Sequence, residues 1–338
     1  QVTLAPFNYA PPNLTSVTPP SVPTSGGVNV TLRGANFGVG ESFSLKLRGP
    51  GGAGDGLCDF ELTEANLTVS AGGSQQGGAI YRFAHDGLSF TSPEGQCDVP
   101  MRLTLTVAGQ ESVQALPFAF DPPAIAMLSK DGSTRLGSDC DRASEIGCGL
   151  LTNGGYTISL TGANFGLADQ QVWFQGAPVD PAEVSFTDDH GVASFTVPPG
   201  VGRKVAVEVS VGARRSAPAW FKYDPPYLMS FSPNEFDAQS DVIEIFGRNF
   251  GPTLEEAGDV RIVVGNVTCG PVQIGSYVAD IWQTTLAGVP YLWCALGDST
   301  VGLKAIEVHV AGQNVTKDET VSGVRGVCSS GFYGQQAY

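Results

Sequence analysis

Seven cysteines and five Asn-x-Thr tripeptides are the residues of this chain whose type and spacing can carry chemistry. The cysteines fall into local couples, Cys58 with Cys97, Cys140 with Cys148 and Cys269 with Cys294, which leaves Cys328 alone. No couple has metal-ligand spacing and no histidine stands beside one, so disulfide formation is expected and zinc binding is not. In the chain-entropy picture, closing the long first loop contributes on the order of 4 kcal/mol and the short second loop less. Cys328 is then a free thiol, a link to another chain, or half of a bridge to residues beyond this sequence. The tripeptides begin at Asn13, Asn29, Asn66, Asn266 and Asn314 and are acceptors for N-linked glycan. Five of them in a cysteine-paired chain point to an oxidising, extracellular setting, secreted or at the cell surface. Pro11, Pro12, Pro19 and Pro20 are candidates for hydroxylation and O-linked sugar.

Catalysis needs a nucleophile with a base, paired carboxylates in a cleft, or a bound metal. His85, His190 and His309 are spread along the chain, and no Gly-x-Ser-x-Gly, His-Glu-x-x-His or phosphate-binding loop occurs. No enzymatic activity and no cofactor are therefore expected. Asp131, Asp139, Asp141 and Glu145 cluster around the second cysteine couple, but their spacing matches no EF-hand, and they read as a solvated acidic loop with no metal. Trp220, Phe221 and Tyr223 invite a sugar-stacking reading, yet Phe221 and Tyr223 have the spacing of core residues. With 18 basic against 33 acidic residues the net charge is −15, which argues against nucleic acid or anionic membrane as a partner. No apolar run reaches the roughly 18 to 20 residues that insertion in a bilayer needs. Gln1, followed directly by strand-like sequence, reads as an end left by removal of a secretory leader.

The elements that must position these residues are repetitive. Gly34-Ala35-Asn36-Phe37-Gly38 returns as Gly162-Ala163-Asn164-Phe165-Gly166 and as Gly247-Arg248-Asn249-Phe250-Gly251. An alternating strand precedes each copy. In Val28-Asn29-Val30-Thr31-Leu32 the aliphatic residues face inward and Asn29 outward, leaving room for a glycan. Glycine and asparagine tolerate positive φ and mark a bend, and the phenylalanine reads as a core plug. Near the end of each repeat runs another alternating strand: Leu103 to Val107, Val205 to Val209, and Ile306 to Val310, where His309 points outward. A third motif ends in a proline pair: Phe118-Ala119-Phe120-Asp121-Pro122-Pro123 and Phe221-Lys222-Tyr223-Asp224-Pro225-Pro226. Two aromatics at i and i+2 share one face of a strand, and the prolines stop it.

The proline-led lead-in, the Gly26-Gly27 turn, the alternating strand and the Gly-x-Asn-Phe-Gly bend together resemble the IPT/TIG family of immunoglobulin-like domains, found in tandem in plexin-like and fibrocystin-like ectodomains. The likeness covers about residues 11 to 321. It implies an all-β chain of three tandem sandwiches, each with roughly seven short strands, and by itself it implies no activity. The expected division is a closing strand at 1–12, repeats at 13–122, 123–225 and 226–327, and from 328 to 338 the start of a cysteine-rich, EGF-like tail. The first repeat inserts a glycine-rich loop from Gly49 to Gly78, expected to be a surface excursion.

One closing segment stands at the front of the chain with no repeat before it. Val2, Leu4, Phe7, Tyr9, Pro11 and Pro12 reproduce the aromatic and proline pattern of the later closing segments. After Val308-His309-Val310-Ala311-Gly312, in contrast, no such segment follows. Two readings account for this. In the first, residues 1–12 of one subunit complete the third repeat of the next by strand addition, with Phe7 and Tyr9 as anchors, which makes the protein its own partner in a head-to-tail filament coated with glycan. In the second, the chain is a stretch of a longer cell-surface adhesion or receptor ectodomain, and residues 1–12 close a repeat lying upstream. Residues 321 to 327 are in that case an irregular closing strand of the third repeat.

Overall fold

The computed structural model describes residues 9–38, 42–49, 57–63, 67–69, 86–130, 134–136, 150–187, 190–232, 242–253, 259–276, 290–295 and 305–317. These residues build three β-sandwiches, each with its own core. In the first, one sheet runs in the order Asn13–Thr18, Asn29–Ala35, Gly87–Thr91, Leu67–Val69. The facing sheet runs Ser21–Val22, Leu116–Phe120, Met101–Val107, Phe43–Arg48, Asp59–Thr63. The second and third sandwiches repeat this plan, with Thr157–Ala163 and Val242–Arg248 in the place of Asn29–Ala35. Val205–Val211 and Ile306–Val310 stand in the place of Met101–Val107.

Alternation decides which face each strand buries. Val30 and Leu32 are fully buried while Asn29 is exposed, and Ile158 with Leu160 and Ile243 with Ile245 repeat the arrangement. The later strands do likewise, burying Leu103 and Leu105, Val205, Val207 and Val209, and Ile306 and Val308. Tight turns then fold the chain back. Ala108 and Gly109, like Ala311 and Gly312, both take positive φ, the two-residue turn whose twist matches antiparallel strands.

The pentapeptide bend has a definite physical origin. Asn36, Asn164 and Asn249 sit at φ 64, 62 and 63, and the closing glycines Gly38, Gly166 and Gly251 at φ 70, 67 and 91. Phe37, Phe165 and Phe250 turn back into the core and are buried to within 1%. Each ring lies over the first glycine of its own motif. A Cβ on Gly34, Gly162 or Gly247 would overlap the carbonyl of Asn13, Ala124 or Tyr227 on the neighbouring strand and crowd the ring. The asparagine finishes the device, because its Nδ2 donates to the first proline of the preceding pair: Asn36 to Pro11 at 3.2 Å, Asn164 to Pro122 at 3.1 Å, Asn249 to Pro225 at 3.0 Å. Gly-x-Asn-Phe-Gly therefore seats a core ring and ties the bend to the segment through which the chain enters the repeat.

Candidate functional site: closing segments and the joints between repeats

The closing segments fill their sandwiches as the spacing predicts. Phe118 and Phe120 lie on Leu116–Phe120, which pairs with Met101–Val107 on one side and, in parallel, with Ser21–Val22 on the other. Both rings are buried to within 1%, Phe118 edge-on to Phe90 at 6.0 Å and Phe120 edge-on to Phe60 at 6.2 Å. In the second repeat Phe221 and Tyr223 do the same, 5.5 Å apart, and the Tyr223 hydroxyl donates to the Pro198 carbonyl at 2.7 Å. Burial pushes the Tyr223 phenol well above its ordinary value of 10. Trp220, just before Phe221, faces out and is 42% exposed.

The third repeat differs in register. In the first two, the strand after the turn is split: a short piece pairs with the end of the preceding strand, and the closing strand pairs with its beginning. In the third, Gln313–Lys317 pairs without interruption from Val310↔Gln313 to Ile306↔Lys317. Among the described residues, the third core contains no aromatic pair contributed after the turn. Residues 321–327, read from sequence as an irregular closing strand, lie outside the described residues.

Side chains from both members build the joint between the first and second repeats. Gln96 reaches across with its whole amide: Nε2 donates to the Ala168 carbonyl at 2.8 Å, and Oε1 accepts from the amides of Leu167 at 2.6 Å and Ala168 at 3.0 Å. The Thr24 amide donates to Asn164 Oδ1 at 3.1 Å. His190, 4% exposed and at φ 56, sets Nδ1 3.0 Å from Thr24 Oγ1 and Nε2 2.6 Å from Glu94 Oε1. The Arg214 guanidinium donates to the Phe120 carbonyl. Glu94 and Gln96 lie on a loop held by the Cys58–Cys97 disulfide, which forms as the pairing predicts. The joint between the second and third repeats uses the same register. Gln313, 6% exposed, donates its Nε2 to the Tyr223 carbonyl at 2.8 Å. Arg214 and Gln313 are each the first residue after the hairpin turn, opposite Val211 and Val310. Each therefore binds the carbonyl of the last aromatic of the repeat before it.

Gln110 holds this position in the first repeat, opposite Val107. By alignment of the proline-pair motif, the aromatic that corresponds to Phe120 and Tyr223 is Tyr9, which is 80% exposed. Pro11 and Pro12 are built into the first repeat, accepting from Asn36 Nδ2 and from the Val113 amide at 3.0 Å. Val2, Leu4 and Phe7 lie outside the described residues. The second disulfide, Cys269–Cys294, also forms, while Cys140, Cys148 and Cys328 lie outside. Asn29, Asn266 and Asn314 are exposed, Asn13 is half-buried with its Oδ1 3.3 Å from Gln114 Nε2, and Asn66 lies outside. So do His85 and the acidic cluster around Cys140. His309 is half-buried and 3.3 Å from Glu307.

Reasoning from sequence missed the joint residues, since they come from different repeats and share no local motif. One signal was present: Val107-Ala108-Gly109-Gln110 recurs as Val310-Ala311-Gly312-Gln313.

Comparison with protein families matches the model described as IPT/TIG domain to residues 12–120 and 150–223. Comparison with curated proteins finds no significant match. Among solved structures, one described as a crystal structure with xylogluco-oligosaccharide is 14% identical with a TM-score of 0.34, covering 92% of this chain and 60% of that one. The plexin A4 full extracellular region is 15% identical with a TM-score of 0.24, covering 86% and 21%. The I9–I11 tandem of titin is 7% identical with a TM-score of 0.24, covering 88% and 92%. The chain thus spans less than two thirds of the first two, and likeness at this level assigns no ligand.

Proposed function

The chain belongs to the IPT/TIG family, and from that premise we propose that it is a non-catalytic stretch of an extracellular adhesion or receptor-type protein, a series of immunoglobulin-like repeats each docked firmly on the one before. The repeated joint carries this reading. In two successive joints the residue after the hairpin turn binds the last aromatic's carbonyl of the preceding repeat, and the first repeat holds Gln110 at that position behind Tyr9-Ala10-Pro11-Pro12. Segment 9–12 thus stands to the first repeat as 120–123 and 223–226 stand to the second and third, which is the tail of a repeat lying ahead. Two disulfides support an extracellular location.

A second reading is favoured by the register of the third repeat. If the repeat ahead of Tyr9 is the third repeat of another copy, residues 1–12 complete it by strand addition and the protein polymerises head to tail. Burial of Phe7 and Tyr9 would contribute roughly 1.5 to 3 kcal/mol each, with about 0.5 to 1.5 kcal/mol for each ladder hydrogen bond. Sedimentation and negative-stain imaging of the intact chain, before and after deletion of residues 1–12, separate the two. Monomers in both cases support the ectodomain reading. Filaments lost on deletion overturn it in favour of strand addition, and filaments that survive deletion exclude strand addition by this segment.

A further inference from the structure

The outward face of one sheet of the second repeat brings two tryptophans together with a group of cations. Apart from Arg214, which is engaged at the joint, residues 203–222 hold Arg203, Lys204, Arg215 and Lys222 against one acidic residue, Glu208. On Val205–Val211 the valines fill the core, Ala206 and Glu208 are half-buried on the opposite face, and Ser210 on that face is buried. Trp173 stands opposite Glu208 on the neighbouring strand to one side, and Trp220 stands opposite Ala206 on the other. The rings are thus two strands and one pleat apart, roughly 10 to 12 Å, across a floor kept low by Ala206.

Each ring carries its own cation. The Arg215 guanidinium lies 3.5 Å above the Trp173 ring centre and 3.3 Å from Glu208, while Trp173 Nε1 donates to Ser210 Oγ at 2.8 Å. The Lys204 ammonium lies 4.5 Å above the Trp220 ring. Stacking holds the two cations in place. Salt at physiological strength screens charge beyond about 8 Å, so a ligand at this face meets the local cations more than the −15 of the whole chain. All five glycan acceptors fall in the flanking repeats, at residues 13, 29 and 66 and at 266 and 314, and none lies between 123 and 225. The cationic face therefore belongs to the repeat with no N-linked glycan acceptor.

We propose that this face binds an acidic polysaccharide. A sugar unit bearing a carboxylate or sulfate offers an apolar C–H face and an anion on one small frame, which matches the exposed Trp220 with the Lys204 ammonium at its ring, and Arg215, stacked on Trp173, adds a second cation on the same face. A run of carboxylates on a peptide satisfies the cations but leaves the rings without a matching surface. The site is an open sheet face, suited to an extended polymer. This goes beyond the proposed function and holds whether the chain is an ectodomain stretch or a filament subunit.

The test is affinity electrophoresis of the intact chain in 0.15 M salt through gels holding polygalacturonate, dextran sulfate, neutral dextran or polyglutamate. Retardation is expected with polygalacturonate or dextran sulfate, and which of the two retards more tells carboxylate from sulfate recognition. Neutral dextran should have no effect. Trp220→Ala, at an exposed position, should weaken binding about tenfold or more, and Lys204→Gln should weaken it and lessen its dependence on salt. Unchanged melting temperatures establish that both variants fold. Retardation by polyglutamate equal to that by the polysaccharides, an unaffected Trp220→Ala protein, or no retardation in any gel would each overturn the proposal.

Discussion

Replacing Gln96 with alanine tests whether the first two repeats are held by the bonds described above or merely lie beside each other. The side chain makes three hydrogen bonds to Leu167 and Ala168, all across the joint. Its approach depends on Gly166, whose φ of 67 and missing Cβ leave room for Oε1. The backbone beneath it is fixed, since the Gln96 amide donates to the Leu57 carbonyl at 3.0 Å and Cys97 is bridged to Cys58. At about 0.5 to 1.5 kcal/mol for each bond, and with water partly replacing those at the half-exposed rim, the loss is about 1.5 to 3 kcal/mol of joint stability. None of these bonds lies within the second sandwich, so its own stability should not change.

Amide hydrogen exchange reads this directly. In the intact protein Leu167 and Ala168 exchange only when the joint opens, so the variant should speed both by roughly 10- to 150-fold, taking 1.4 kcal/mol as tenfold. The amides of Val205 to Val211 are held by strand pairing and should keep their rates. Unchanged rates at Leu167 and Ala168 would show that the joint does not depend on Gln96. Equal acceleration throughout the second repeat would show that the substitution destabilises the fold and not the joint, and either result refutes the reasoning.

Three further outcomes follow. Replacing Cys58 and Cys97 together by serine should accelerate exchange at Leu167 and Ala168 as well, because the loop that presents Glu94 and Gln96 loses its anchor; a melt that shifts while those amides hold their rates would separate the disulfide from the joint. Tyr223→Phe removes the bond to Pro198 and should cost about 1 kcal/mol in urea unfolding near neutral pH. Above pH 10 the unfolded phenol ionises while the buried one, its pKa raised, stays neutral, so wild-type stability falls and its advantage over the variant should narrow as pH rises through that range. Gly247→Ala drives a methyl into the Tyr227 carbonyl and the Phe250 ring, and should lower third-repeat stability by at least about 1 to 3 kcal/mol, seen as selective early loss of protection at Val242–Arg248.

The fold was legible because each of its signals is confined to a few neighbouring residues. Alternation over seven residues states which side of Asn29–Ala35 is buried, and a pentapeptide that must take positive φ twice around a core phenylalanine has few chemical solutions, so it recurs nearly unchanged. The closing aromatics were legible for the same reason, as two rings at i and i+2 before a proline pair. What neighbouring residues cannot express is a contact between repeats. His190 reads as an isolated polar residue until the fold sets it between Thr24 and Glu94, 166 and 96 positions away in sequence. Trp220 reads as one member of an aromatic run until strand pairing turns Phe221 inward and leaves the tryptophan outside with Lys204. Gln110, Arg214 and Gln313 lie between these cases. Their register follows from the turn each one follows, whereas their partner belongs to another repeat, so the sequence marks the position without naming the contact. That asymmetry makes Gln110 informative: it occupies a position whose two counterparts both bind the repeat ahead. Substituting it should leave the isolated chain's stability within about 0.5 kcal/mol while weakening whatever repeat docks in front.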